Sequence, residues 1–347
     1  MSQERTRLLE IDALRGLAAI AVVLFHLTQR FVELFAPEQP PSLLVTRGYY
    51  GVNLFFIISG FVIFMTLDRT RKPMDFVVSR FSRLFPAYWC AIALTFTITH
   101  ALALPLKTVT LPQALANVFM VHGLFKVPHV DGVYWTLEIE LLFYLFMFVL
   151  YRMGQLGRVA IFVGALLALR VLYVALARHA GIELSWTLSH LLILEYLPWF
   201  AMGIAIFRIV HPAPSFGARQ SLVLAAAAVA TLVYADGPFL GLLALVLAST
   251  VWAAAAGYLP WLSHPVLVWL GAISYPLYLL HENIGWSVQL QLLRLGVNTD
   301  VTVLVALAVV LLLASALHRW VEQPALRAIR ARYRRQEKPE HQPSAST

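Results

Sequence analysis

Apolar runs of about 18 to 25 residues recur along this chain from end to end, each separated from the next by a short polar stretch. That is the length a helix needs to cross about 30 Å of hydrocarbon. Inside a bilayer only helices and closed barrels satisfy their backbone hydrogen bonds, and these runs are continuous, without the alternation of barrel strands, so helices are expected. Composition points the same way: 60% of the residues are hydrophobic, only 13% are charged and the mean hydropathy is +0.75, whereas soluble domains carry roughly 25% charged residues.

The predicted fold is an all-α polytopic membrane protein, a bundle of about ten transmembrane helices near 11–31, 50–67, 85–105, 131–151, 158–177, 189–209, 219–235, 238–257, 266–293 and 301–320. With the amino terminus inside, Lys and Arg favour the cytoplasmic segments by about three to one, which predicts cytoplasmic N and C termini. The first block follows Arg5 and Arg7, has no small-residue cleavage site and contains Asp12, Arg15 and His26, so it reads as a retained signal anchor. Residues 1–325 form the expected transmembrane domain, and 326–347 a basic cytoplasmic tail, disordered at its end. Much of the net charge of +8 lies there, six cations between Arg327 and Lys338. Such a cluster suits anionic membrane lipids and fixes topology, and no nucleic acid is expected. The single cysteine, Cys90, excludes a disulfide within the chain, and no HExxH-like spacing occurs, so no metal is expected.

Ionisable residues inside the spans are the functional candidates, because a charge in hydrocarbon is costly unless it faces a cavity or a partner. In the first helix, eleven positions separate Arg15 from His26, which brings both onto one face about 16 Å apart along the axis. Asp12 precedes them. The fourth helix carries Glu138 and Glu140, about 200° apart around the axis, so only one of them can face a given cavity. Glu138, at a depth close to that of His26, is the favoured partner for the imidazole. His281 and Glu282, within the ninth span, are candidates for the same cavity, where Asp12 and Glu140 are further candidates for contact with substrate, and Arg170 with Glu195 form a pair or contact substrate. Near the cytoplasmic boundary Arg80 and Arg83 stand three apart just before Phe85 and Pro86. They present two guanidinium groups on one face of a helix ending at the membrane surface, an arrangement suited to phosphate and equally to topology alone. The longest outer loop, 104–130, holds His122 and His129; it either caps a cavity or forms, through its apolar middle from Leu111 to Phe125, an interfacial or re-entrant helix.

Six segments in order, LEIDALRGLAAIAVVLFH (9–26), GYYGVNLFFIISGFVI (48–63), SRFSRLFPAYW (79–89), YWTLEIELLFY (134–144), SYPLYLLHE (274–282) and HRWVEQP (318–324), resemble acyltransferase family 3, the membrane O-acyltransferases. The resemblance implies that Arg15 and His26, with ten residues between them, mark the active centre, and that Ser59, Gly60 and Phe61 form an SGF turn. It implies that Arg80 and Arg83, with Ser59, bind acyl-CoA from the cytoplasm, acetyl-CoA being the expected donor. The activity implied is transfer of an acyl group to a hydroxyl of an extracytoplasmic or lipid-linked glycan, in a bacterial plasma (inner) membrane. His26 then serves as general base or as nucleophile, with Glu138 orienting it. The alternatives are a proton-coupled secondary transporter, built from the same kinds of buried residue, and an acyltransferase acting on a small molecule or a lipid.

Overall fold

The computed structural model describes residues 8–183, 185–214 and 216–336; Arg5, Arg7 and Lys338 lie outside them. The described chain is all-helical. Helix α1, Leu9–Phe35, contains a π turn at His26–Arg30. It is followed by α2 (Gly51–Arg69), α3 (Pro73–Ala101), a short α4 (Leu111–Asn117), α5 (Trp135–Arg152), α6 (Val159–Ala180), a short α7 (Trp186–Leu191), α8 (Leu197–Val210), α9 (Ala218–Asp236), α10 (Pro238–Ala255), α11 (Pro265–Leu280), α12 (Glu282–Arg294), α13 (Thr299–Leu317) and α14 (Gln323–Gln336). Eight helical segments are long and apolar enough to cross a membrane, and two shorter apolar helices, α8 and α11, stand where the other two spans are expected.

The helices sort into a core and a rim. More than half of the apolar stretches of α1, α2 and α5 is buried inside the protein, against about a quarter in α6, α9 and α10. Lipid is as apolar as leucine, so inner helices associate through close van der Waals fit, which favours small residues at crossings. Where α1 meets α11, a Cβ on Gly16 would lie 2.6 Å from the Gly271 nitrogen, and one on Gly271 would lie 2.1 Å from the Asp12 carbonyl oxygen. Where α2 meets α8, a Cβ on Gly60 would lie 2.2 Å from the Phe200 oxygen, and one on Gly203 would lie 2.0 Å from the Ile57 oxygen. These two contacts hold the four central helices backbone to backbone.

Three local expectations change. Ser59, Gly60 and Phe61 lie inside unbroken α2 and form no turn; the glycine is there for the crossing with α8. Helix α3 does not stop at Phe85 but runs through Pro86, so Arg80 and Arg83 sit within a helix and not at its end. Proline removes one N–H from the ladder, a loss that packed neighbouring helices accommodate; beside it the Tyr275 hydroxyl donates to the Leu84 carbonyl at 2.9 Å. The stretch expected to begin a tail at 326 is helical as far as Gln336 and packs against α3.

The 104–130 loop is built around Asn117. Its amide donates to the Gln113 and Pro128 carbonyls at 2.8 and 3.0 Å and accepts from the Val130 N–H at 3.0 Å. Meanwhile Leu111, Leu115, Phe119 and Phe125 face outward. The loop is therefore pinned at its middle and delivers its two ends, Lys107 and Asp131, to the bundle.

Candidate active site

The glycine contact between α1 and α11 sets the height at which the ends of the two helices meet, and there His26 finds its neighbours. His26 opens the π turn, and its Nδ1–H donates to the Val22 carbonyl at 2.9 Å. Donors from α12 reach carbonyls of the widened turn: Trp286 Nε1–H donates to the His26 oxygen at 2.8 Å, beside the Phe31 N–H of the helix itself, and Gln289 donates to the Leu27 oxygen at 2.9 Å. Single π turns of this kind collect at functional sites.

On the other side the chain breaks between α11 and α12 at His281, five residues after Pro276. The carbonyls freed at the break are taken up by side chains: His281 Nδ1–H donates to the Tyr278 oxygen at 2.9 Å and the Tyr134 hydroxyl to the Leu279 oxygen at 3.2 Å. Asp131 accepts from the Asn283 N–H at 3.1 Å and holds the start of α12. The break turns two consecutive side chains onto the histidine of α1. His281 Nε2 lies 3.2 Å from His26 Nδ1, and Glu282 Oε2 lies 3.3 Å from His26 Nε2. Beyond Glu282, Lys107 Nζ stands 3.8 Å from Oε1 and 5.3 Å above the Trp286 ring. Any side chain at position 132 would collide with this carboxylate, since a Cβ there would lie 2.2 Å from Oε1, so Gly132 makes its room.

Glu138, the favoured partner for His26, is elsewhere. Its carboxylate meets His190 Nε2 and the Gly123 N–H, both at 2.8 Å, in a layer formed by α7 and the 104–130 loop. Depth along a helix was legible in sequence; bearing was not, and it is Glu282 that faces the imidazole. Helical periodicity points to neither His190 nor Lys107, whose contacts with Glu138 and Glu282 arise only on packing. The adjacent pair His281 and Glu282 in one motif was the available signal. Nearby, His122 Nε2 and His129 Nδ1 are 2.6 Å apart. Burial, followed by the neighbouring His129, pushes His122 down to about 4.

A second cluster occupies the opposite half of the bundle. Arg15, Ser59, Arg80, Arg83 and Glu140 line one cavity with Tyr144, Ser274 and Tyr275. Glu140, 200° around α5 from Glu138 in the expected sense, accepts from the Ser59 hydroxyl at 2.7 Å and from the Tyr144 hydroxyl at 2.5 Å. Phe55, Thr136 and Tyr278 also line this cavity. The Tyr278 ring lies 5.6 Å from Phe55 on one side and 5.6 Å from His281 on the other. One layer of side chains thus separates the cavity from the His26 cluster. The residues expected in a single cavity are divided: Glu140 lines this one, while His281 and Glu282 surround His26. Asp12 is not among the lining residues, its backbone being pressed against Gly271 at the helix crossing. Arg170 pairs with Asp236 at 2.6 Å and not with Glu195, which is exposed.

Comparison with known proteins gives this geometry its context. Residues 8–320 match the sequence profile described as "Acyltransferase domain". The chain is 30% identical over 300 residues to the exopolysaccharide production protein ExoZ of Rhizobium meliloti, covering 83% of this chain and 92% of that protein. It is 29% identical over 240 residues to the putative membrane-bound transacylase BcsY of Komagataeibacter xylinus, 65% of this chain and 57% of that one. A shorter stretch of 88 residues, 24% of this chain and 12% of the relative, is 32% identical to the peptidoglycan O-acetyltransferase OatA of Listeria monocytogenes. No solved structure matches significantly. With the profile spanning nearly all of an all-helical membrane bundle, the chain belongs to acyltransferase family 3.

Proposed function

We propose that this protein moves an acyl group, acetyl in the first instance, from cytoplasmic acyl-CoA to a hydroxyl of a glycan outside the membrane or linked to a lipid in it. The observation that carries the reading is the polarity of one bundle. A cavity lined by three arginines lies in one half, and an imidazole held by a carboxylate and backed by a lysine lies in the other. Guanidinium groups bind phosphate bidentately, so Arg80 and Arg83 hold the phosphates of the donor at the inner mouth, with Ser59 and Arg15 further along the same cavity. The excess of Lys and Arg in the segments on that side supports cytoplasmic termini and a bacterial plasma membrane location.

The acyl-pantetheine arm passes up the cavity, and Phe55 and Tyr278 part to let the thioester reach His26. His26 Nε2 takes the proton of the acceptor hydroxyl as that oxygen bonds to the acyl carbon. The carbon–sulfur bond then breaks, and CoA leaves as a thiolate that recovers the proton from the imidazolium. Glu282 stabilises the imidazolium during the step, and Lys107 offsets the carboxylate's charge while the site is at rest. The general-base role is favoured over an acyl-histidine because the same Nε2 that must carry the proton already faces a carboxylate at 3.3 Å.

The test uses purified protein in proteoliposomes with labelled acetyl-CoA and a glycan mixture from the producing cell surface. Wild type releases free CoA and labels the glycan, and His26→Ala does neither while retaining its fold. Full transfer by His26→Ala would refute the assignment. A stable acetyl adduct on His26 after acid quenching would replace the general base with a nucleophile. The similarity to an exopolysaccharide production protein and to a peptidoglycan O-acetyltransferase supports a glycan acceptor.

A further inference from the structure

A file of aromatic rings leads away from His26 along the surface of the bundle. It starts from a close approach of backbones. Gly48–Tyr50 form a single 3-10 turn ahead of α2. A Cβ on Gly48 would lie 2.1 Å from the Ala21 oxygen and 2.9 Å from the Phe25 Cβ, and one on Gly51 would lie 2.5 Å from the Ala18 oxygen. The turn therefore lies directly on α1, and its next side chain, Tyr49, meets Phe25 with ring centroids 5.2 Å apart. Phe25 is itself 5.0 Å from the His26 ring, edge to face. In the other direction Tyr49 is 4.2 Å from Tyr50, and Tyr50 is 5.6 Å from Phe239 at the start of α10. The Arg47 guanidinium stands over Phe239 at 5.2 Å and ends the file.

These rings are not core. Tyr49 and Phe239 are 41% and 45% exposed, and Arg47 is exposed as well, whereas Trp286, the aromatic neighbour on the opposite flank of His26, is wholly buried. Aromatic residues also gather at membrane surfaces as separate anchors. Anchoring requires neither contact from ring to ring nor an end at an imidazole, and this file has both. A sugar ring offers a face of C–H groups and an edge of hydroxyls. The negative face of an aromatic ring attracts the C–H groups. A guanidinium laid over a ring keeps its in-plane N–H donors for hydroxyl oxygens.

We propose that Phe25, Tyr49, Tyr50 and Phe239, with Arg47 at the far end, form the acceptor track. A carbohydrate chain lies along it with the sugar to be acylated at His26 and the following sugars running toward α10. The substrate class is thus an oligosaccharide segment and not a single sugar. This rests on the acceptor reading above.

The test measures KM and kcat for purified protein in nanodiscs with labelled acetyl-CoA. The acceptors are disaccharide and hexasaccharide fractions cut from the surface glycan of the producing cell. Wild type should show the lower KM for the hexasaccharide. Tyr49→Leu should raise KM for both fractions about fivefold to tenfold, the worth of one stacked ring. Phe239→Leu should raise the hexasaccharide KM by as much and the disaccharide KM by less, because a short acceptor ends before α10. Leucine is as apolar as lipid, so a ring that served only as a membrane anchor would tolerate the exchange. Tyr49→Phe, which keeps the ring, should recover most of the loss. Arg47→Gln, a mild change at an exposed position, should raise the hexasaccharide KM about threefold even if the leucine variants fold poorly. Unchanged KM values in every variant, equal losses for both fractions in Phe239→Leu, or no preference for length in wild type would each overturn the track. If wild type acylates neither fraction, the glycan reading falls and the track with it; if it acylates both and the variants match it, only the track falls.

Discussion

His26 gains its setting from two irregularities, a π turn beneath it and a helix break opposite it, and each substitution near it has a distinct expected result. Glu282→Gln keeps the shape and removes the charge that stabilises the imidazolium, so kcat should fall by about a hundredfold, with little change in donor KM when CoA release is followed kinetically. Glu138→Gln should cost far less in kcat, because that carboxylate faces His190 and Gly123; equal losses in the two variants would remove the special role given to Glu282. Of this centre, His26 was readable as an ionisable residue within a span, and helical periodicity put Arg15 on its face but about 16 Å away, in the second cluster. The choice between Glu138 and Glu282 was not readable, because both lie at suitable depths on separate helices and only their packing decides which one turns toward the imidazole.

At the scale of the helices, two glycine contacts govern the interior. Gly203→Val adds three carbons where even a Cβ would lie 2.0 Å from the Ile57 oxygen. Overpacking of this kind costs about 1–3 kcal/mol or more, so thermal unfolding of the purified variant should occur several degrees below that of wild type, or the variant should not accumulate. Burial of His122 makes the stability of the 104–130 loop depend on pH. His122 is held at about 4 in the folded protein against 6.5 when free, so below 6.5 the unfolded loop binds the proton that the folded loop refuses. Stability of the loop is then full above about pH 6.5, declines as the pH falls toward 4 and levels off below that. Hydrogen exchange across 111–130 should accelerate over that window, and His122→Gln should flatten the dependence. The apolar character of this loop was legible from its residues; the Asn117 hub that folds it was not, because its partners at Gln113, Pro128 and Val130 converge only in three dimensions.

For the whole molecule, the two clusters at opposite ends of one bundle make transfer across the membrane the expected event. With acetyl-CoA sealed inside proteoliposomes and acceptor glycan outside, label should appear on the outer glycan while free CoA accumulates inside; label confined to the donor's side would reject a transmembrane path. Phe55→Trp, enlarging the layer between the clusters, should lower kcat and leave CoA affinity unchanged, as measured by binding and turnover on the same preparation.

The linear chain was enough to establish the solvent and the architecture, because the length of an apolar run and the energetic cost of an unpaired peptide group in lipid depend on local sequence alone. It also established which residues were too polar for their positions. What the packed bundle alone decided was who meets whom: Glu282 with His26, Lys107 with Glu282, Glu138 with His190. Each of those meetings depends on the rotation of one helix against another, and that rotation is set by backbone contacts such as Gly16 with Gly271, between residues more than 250 positions apart.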